Sequence, residues 1–198
     1  KMPEHPEPWP KLGSATIGPE EPIVIPYDSP DKGMQHEGEC VAVIGKVCRR
    51  VTPEEAWGFI LGYTCGNDVS ERYWQRHDNS WWRAKGADTF APLGPWIETE
   101  VDPRQGLDMV VRLNGRVVQH ANTRSMHFDF GHIISYISQH VTLRPGDLVW
   151  SGTTGTPETM RPGDVVEVEV TGIGVLRNPV VRERRHRRAR RPVAAAAG

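Results

Sequence analysis

The sequence predicts a mixed, β-rich α+β fold with a few short helices. Three observations carry this expectation. Asn114-Gly115 sits between two alternating apolar runs, the strongest short-range signal for a β-hairpin. Two Pro-Gly-Asp turns, at 145–147 and 162–164, each precede a short apolar run. Only two segments carry helix signals, in a chain of 198 residues with 20 glycines and 17 prolines.

Taken in order, residues 1–22 read as an extended, Pro-rich stretch and Ile23-Val24-Ile25-Pro26 as a short strand. Cys40-Val41-Ala42-Val43-Ile44 is apolar throughout, which predicts a strand covered on both faces and ended by Gly45. Thr52-Pro53-Glu54-Glu55 has an N-cap threonine, proline at the first helical position and glutamate at the third, so a helix is expected over 54–61, stopping at Gly62. Tyr63-Thr64-Cys65 then reads as a strand that delivers Asn67 and Asp68 at its end. The hairpin spans 108–119. Residues 130–140 have amphipathic helical spacing through Ile133, Ile134 and Ile137, with Val141 as a candidate fourth position. Leu148-Val149-Trp150 and 165–170 are the strands after the two turns. Gly172-Ile173-Gly174 reads as a bend, because it lacks the strand and helix that flank a phosphate loop. No internal repeat is apparent.

The length supports one sizeable core. No run of about 18 apolar residues is present, so no membrane-spanning helix is expected, and the polar N-terminus shows no signal peptide. Cys40, Cys48 and Cys65 lack metal-ligand spacing and are expected to be reduced, buried thiols of a cytoplasmic protein. Charge is unevenly distributed. Residues 182–198 hold seven arginines and one glutamate, a balance of +6, which leaves −7 for residues 1–181 of a chain whose net charge is −1. The division expected is therefore a folded body over 1–181 and an Arg-rich, disordered or partly helical tail over 182–198. The acidic body argues against nucleic acid as a partner despite the tail.

Two short motifs carry candidate chemistry. In His36-Glu37-Gly38-Glu39 the two glutamates are one residue apart, so on a strand both carboxylates share a face. Asp68, in Gly66-Asn67-Asp68-Val69-Ser70, could complete one face of an octahedral oxygen site, the usual setting for a hard dication such as Mg²⁺. An E-x-E by itself is more often a pair of outward acids on a half-exposed strand. The eight histidines form no zinc pattern. Cys40, alternating with Glu39, should face the core. Trp74, Trp81 and Trp82 are expected to pack under the site or at a subunit contact.

The company these motifs keep is specific. Glu37-Gly38-Glu39-Cys40-Val41-Ala42-Val43-Ile44-Gly45-Lys46 resembles the "EGELAVVIGK" strand of the fumarylacetoacetate hydrolase family. So do the stretch from Gly62 to Arg72 followed by Gln75, the segment from Lys85 to Pro95, and the central hairpin with Asn114-Gly115, Gln119, Asn122-Thr123 and Met126. Leu143-Arg144-Pro145-Gly146-Asp147, Ser151-Gly152-Thr153 and the segment 172–180 complete the likeness over about residues 6–181.

This resemblance implies a distorted β-barrel of rolled strands, usually a homodimer. It implies Glu37, Glu39 and Asp68 as ligands of Mg²⁺ or Mn²⁺. The substrates implied are 2-oxo acids or 1,3-dicarbonyl acids, cleaved at a C–C bond by hydrolysis through a metal-stabilised enolate. Lys85 matches the family lysine that adds a second positive charge beside the substrate oxygen. Thr153 would bind the substrate carboxylate and Gln75 would line the pocket. Arg72 and Asp88 would stand behind the ligands or be structural. Ser151-Gly152-Thr153-Thr154-Gly155-Thr156-Pro157 holds two Gly-Thr pairs where the family reads "T-G-T-P". Thr153 is preferred to Thr156 because the strand at 148–150 immediately precedes it. The family's usual acid/base pair, in an "N-Y-x-x-H-x-x-E" lid segment upstream of the Pro-rich stretch, has no match here, and Glu4-His5 does not fit it. Decarboxylation, keto–enol isomerisation of oxaloacetate-like substrates, or non-catalytic binding of metal and 2-oxo acid are the alternatives that ask less of such a base.

Overall fold

The computed structural model describes residues 3–30 and 33–184. The strands are β1 (Thr16–Ile17), β2 (Ile23–Ile25), β3 (Met34–Gln35), β4 (Gly38–Ile44), β5 (Ile60–Asn67), β6 (Ser70–Glu71), β7 (Ala91–Glu98), β8 (Asp108–Leu113), β9 (Arg116–Asn122), β10 (Leu148–Trp150), β11 (Val165–Val170) and β12 (Gly174–Arg182). The α-helices are short: α1 (Pro53–Ala56), α2 (Arg72–His77), α3 (Trp82–Gly86) and α4 (Phe130–Ser138). The fold is mixed and β-rich, as the turn chemistry predicts.

One five-stranded sheet runs β1-β7-β5-β4-β10, and a second runs β2-β12-β11-β8-β9. β3 and β6 form a separate two-stranded ribbon. All seven residues of β4 are buried, which fits its unbroken apolar run and its place between β5 and β10. β11 alternates half-buried and buried positions, so it covers the core with one face only. At Gly38 the first sheet packs tightly against the second. A Cβ there would collide with Val111 on β8 and press on Val168 on β11. That contact explains why glycine separates Glu37 from Glu39.

The hairpin forms as expected, with Asn114 at φ 53° and Gly115 at φ 77°, a left-handed pair that matches the twist of β8 and β9. α4 buries Phe130 and Ile134, while Val141 lies outside the helix and is exposed. The predicted helix over 54–61 needs correction. The capping box forms, with Thr52 accepting from Glu55 N–H and Glu55 from Thr52 N–H, but α1 ends at Ala56. A single 3₁₀ turn follows at Trp57–Phe59, and β5 begins at Ile60. Ile60 pairs with Ile44, and Gly45 N–H donates to Phe59 O, so the ladder with β4 claims residues that two turns of isolated helix could not hold.

β12 runs through Arg182, whose guanidinium donates to Ser29 O, so the body extends at least that far. Residues 185–198 of the predicted tail lie outside the described residues. No described helix is long and apolar enough to cross a membrane. Cys40, Cys48 and Cys65 are buried free thiols. Burial pushes Cys65 up to about 12, so its thiol stays protonated at neutral pH.

Candidate metal centre

Strand geometry and local hydrogen bonds set the three acids. Glu37 and Glu39 flank Gly38 at the start of β4. Asn67, at the end of β5, accepts Glu37 N–H on its side-chain oxygen at 2.9 Å, and Asp68 N–H donates to Glu37 O at 2.8 Å. Ser70 Oγ donates to Asp68 O at 2.8 Å. The segment Asn67–Ser70 is thus a latch that fixes Asp68 beside Glu37. One oxygen of each of Glu37, Glu39 and Asp68 lies within 4.8 Å of the others, and all three residues are buried.

Three buried carboxylates this close repel strongly, so each must find a cation or shift its protonation. Lys85, at the end of α3, is 2% exposed and bridges two of them. Its Nζ donates to Glu37 Oε2 at 2.5 Å and to Asp68 Oδ2 at 2.9 Å. Arg72, at the start of α2, donates to Glu37 Oε1 through Nη2, to Gln35 Oε1 and to Gln75 Oε1. Glu71 caps α2 by accepting from Tyr73 and Trp74 N–H, which aims Arg72 at the site. Asp78 and Arg83 clamp α2 to α3 with two bonds of 2.8 Å. Glu39 has the weakest compensation: Gly152 N–H donates to it at 2.8 Å. Burial, then the charges of Asp68 and Glu37, hold its pKa well above the usual carboxylate range. The imidazole of His36, buried beside Glu37, is pushed down to about 4 by burial and so is neutral. Its Nε2 accepts Glu158 N–H.

A third cation was not legible as a site residue. Lys11, from the Pro-rich stretch, puts Nζ 2.5 Å from Asp68 Oδ1 and 2.5 Å from Lys85 O, over the Trp150 ring. Burial lowers the pKa of its ammonium, with Asp68 opposing. Nothing in the periodicity of residues 6–12 marks this lysine. The only signal was a lone cation among prolines, 57 residues from its partner.

Two of the acids, Glu39 and Asp68, open onto a cavity of about 870 Å³, whose walls also include Lys11, Trp150 and Thr153. Its farther part is largely apolar, with Met126, Ile133, Ile137 and Leu143 among its walls. Thr153 Oγ1 accepts from Gln119 Nε2 at 2.6 Å and donates to Gly38 O at 3.1 Å, which ties it to the Glu37–Glu39 turn. Thr156 is exposed and does not line the cavity. Neither Lys85 nor Gln75 lines it. Lys85 lies behind the acids, and Gln75 is occupied with Arg72. Asp88 is exposed. Trp74 is buried under the Arg83 guanidinium, Trp81 meets Trp9 edge-on, and Trp82 is 65% exposed.

Comparison with known proteins decides the family. Residues 1–181 match the fumarylacetoacetate (FAA) hydrolase C-terminal family. The chain belongs to that family. Among relatives, it is 41% identical over 155 residues to a 2,4-didehydro-3-deoxy-L-rhamnonate hydrolase of Sphingomonas sp. (strain SKA58), which covers 77% of this chain and 54% of the relative. A crystal structure of 5-carboxymethyl-2-hydroxymuconate delta-isomerase from Mycobacterium smegmatis superposes with TM-score 0.88 at 45% identity, covering 91% of this chain and 71% of that one. Maleylpyruvate hydrolase from Sphingobium sp. SYK-6, in complex with manganese(II) and pyruvate, superposes with TM-score 0.80 at 34% identity, covering 88% and 64%. The chain thus spans between about half and seven tenths of these proteins' lengths. These structures share its β-rich, curled-sheet architecture.

Three buried carboxylates without a soft ligand suit a hard divalent cation.

Proposed function

We propose that this chain is the catalytic part of a divalent-metal-dependent enzyme that acts on 2-oxo acids or 1,3-dicarbonyl acids and hydrolyses a C–C bond. The observation that carries this reading is the convergence of three buried carboxylates, Glu37, Glu39 and Asp68, two of which, Glu39 and Asp68, line the cavity. These three residues would hold Mg²⁺ or Mn²⁺, and the manganese of the maleylpyruvate hydrolase complex supports that choice. The cation would supply Lewis-acid polarisation of a substrate carbonyl.

The chain's own residues do the rest. Thr153 contacts the substrate carboxylate, with its hydroxyl orientation set by Gln119. Lys85 acts through the two ligands it bridges, holding Glu37 and Asp68 in place and adding positive charge behind them. Arg72 does the same for the other oxygen of Glu37, and Gln75 steadies Arg72. Burial keeps water from screening these charges. Keto–enol isomerisation or decarboxylation at the same site is the second reading, and the isomerase name of the Mycobacterium smegmatis structure favours it. A homodimer belongs to the proposal too. It is supported by exposed Leu61, Trp96, Ile97 and Val175, apolar side chains on one sheet and the neighbouring β12.

The test is turnover of a short acylpyruvate and of oxaloacetate with Mg²⁺ or Mn²⁺, with and without EDTA. Turnover abolished by EDTA and restored by metal is expected, and the preferred substrate separates hydrolase from decarboxylase. Turnover that EDTA leaves unchanged would contradict the metal assignment.

A further inference from the structure

Charge accounting at the site leaves one group without a role. Three carboxylates face three side-chain cations: Lys85, Arg72 and Lys11. The first two are built in. Lys85 is enclosed at the end of α3, and Arg72 is held by Gln35 and Gln75 at the start of α2. Lys11 differs on each count. It comes from an irregular, Pro-rich segment, its ammonium binds one Asp68 oxygen and one carbonyl, and it stands on the cavity wall. Among the described residues lining that cavity, it is the sole lysine or arginine.

We propose that Lys11 is a resident counter-cation of the carboxylate cluster, which a divalent cation must displace from Asp68 on binding. This inference rests on the metal reading given above. The physical argument is direct. With Glu37, Glu39 and Asp68 all ionised, as metal ligands must be, the three side-chain cations already balance them, and a dication would add two excess positive charges at low dielectric. The cation free to leave is the one at the cavity surface, because it can turn its ammonium toward solvent or a substrate anion at small cost. Lys11 is therefore a positioning residue with two effects. It holds Asp68 when no metal is bound, and it weakens metal affinity by the free energy of the ion pair that must be broken. The coupling is reciprocal, so whatever Lys11 gives the metal-free protein it subtracts from metal binding.

The test is Mn²⁺ titration calorimetry and thermal melting on wild type, Lys11→Gln, Lys11→Met and Lys11→Arg. The neutral variants are expected to bind Mn²⁺ roughly tenfold more tightly than wild type. Their metal-free melting temperatures should fall and their metal-induced rise in melting temperature should grow. Lys11→Arg, which keeps the charge, should stay near wild type. If either neutral variant fails to fold, the other, checked by circular dichroism, carries the measurement. Wild-type binding with no gain in folded Lys11→Gln or Lys11→Met overturns this inference alone. No binding by wild type or any variant overturns the metal reading and this inference with it. Binding by the neutral variants but not by wild type supports both.

Discussion

Two E-x-E patterns of the chain, one at the start of a strand and one within a strand, behave in opposite ways. Glu37-Gly38-Glu39 opens β4, while Glu167-Val168-Glu169 lies within β11. In each, the middle residue points between the sheets, and the two middle residues meet there: a Cβ on Gly38 would lie 3.4 Å from Val168. The flanking acids differ. Glu167 and Glu169 are on an open face, where Glu169 pairs with Arg112 at 2.6 Å and Glu167 lies 3.9 Å from Arg177. Glu37 and Glu39 are closed in by α2, α3 and the Pro-rich segment, with a third acid beside them. Spacing thus puts two carboxylates on one face in both cases, but what covers that face decides whether they decorate a surface or gather into a buried charged cluster.

Substitutions on the two sides of this comparison should separate accordingly. The largest effect is expected from Lys85→Met, which leaves Glu37 and Asp68 buried with one cation fewer. Metal-free stability in urea should fall by about 3–5 kcal/mol, and a loss under 1 kcal/mol would mean the cluster is not held by its ion pairs. Next comes His36, neutral because it is buried. An unfolded histidine takes up its proton near pH 6.5, but folded His36 does so only near about 4. The unfolded chain therefore binds the extra proton first. The stability due to neutral His36 is complete above pH 6.5 and is lost as pH falls toward 4, by up to about 3 kcal/mol. His36→Gln should flatten that part of the stability–pH curve, and an unchanged slope would remove His36 as its cause. The smallest effect is expected on the open strand. Glu169→Gln breaks a half-exposed pair with Arg112 and should cost no more than about 1 kcal/mol, so a larger loss would blur the contrast.

Legibility in the sequence followed the range of the interaction. The β8–β9 hairpin was visible because Asn114-Gly115 acts within four residues, and β4 because its apolar run reports burial on both faces. Cys40 joins the core as its alternation with Glu39 implied, while Glu39 on the other face is buried as well, because β4 has no solvent face. The first turn of α1 was visible in its caps, but its end was set by pairing across the sheet with Ile44, which propensity cannot see. α2 and α3 went unread because their apolar pattern is too short to show a period, although they deliver Arg72 and Lys85. The three candidate ligands stood out through motif resemblance, with Gly38 explained only once Val111 was seen opposite it. Lys11 was hidden, since its partner is 57 residues away and its own segment carries no regular structure.

The most direct test of the central claim is a Mn²⁺ titration of three proteins: wild type, Glu39→Gln and Glu169→Gln. Each variant removes one acid from one E-x-E. Wild type and Glu169→Gln should bind alike, and Glu39→Gln should lose on the order of 100-fold in affinity, equivalent to about 2.7 kcal/mol. If Glu39→Gln binds as tightly as wild type, or if Glu169→Gln loses as much, the buried acids Glu37, Glu39 and Asp68 are not the metal centre.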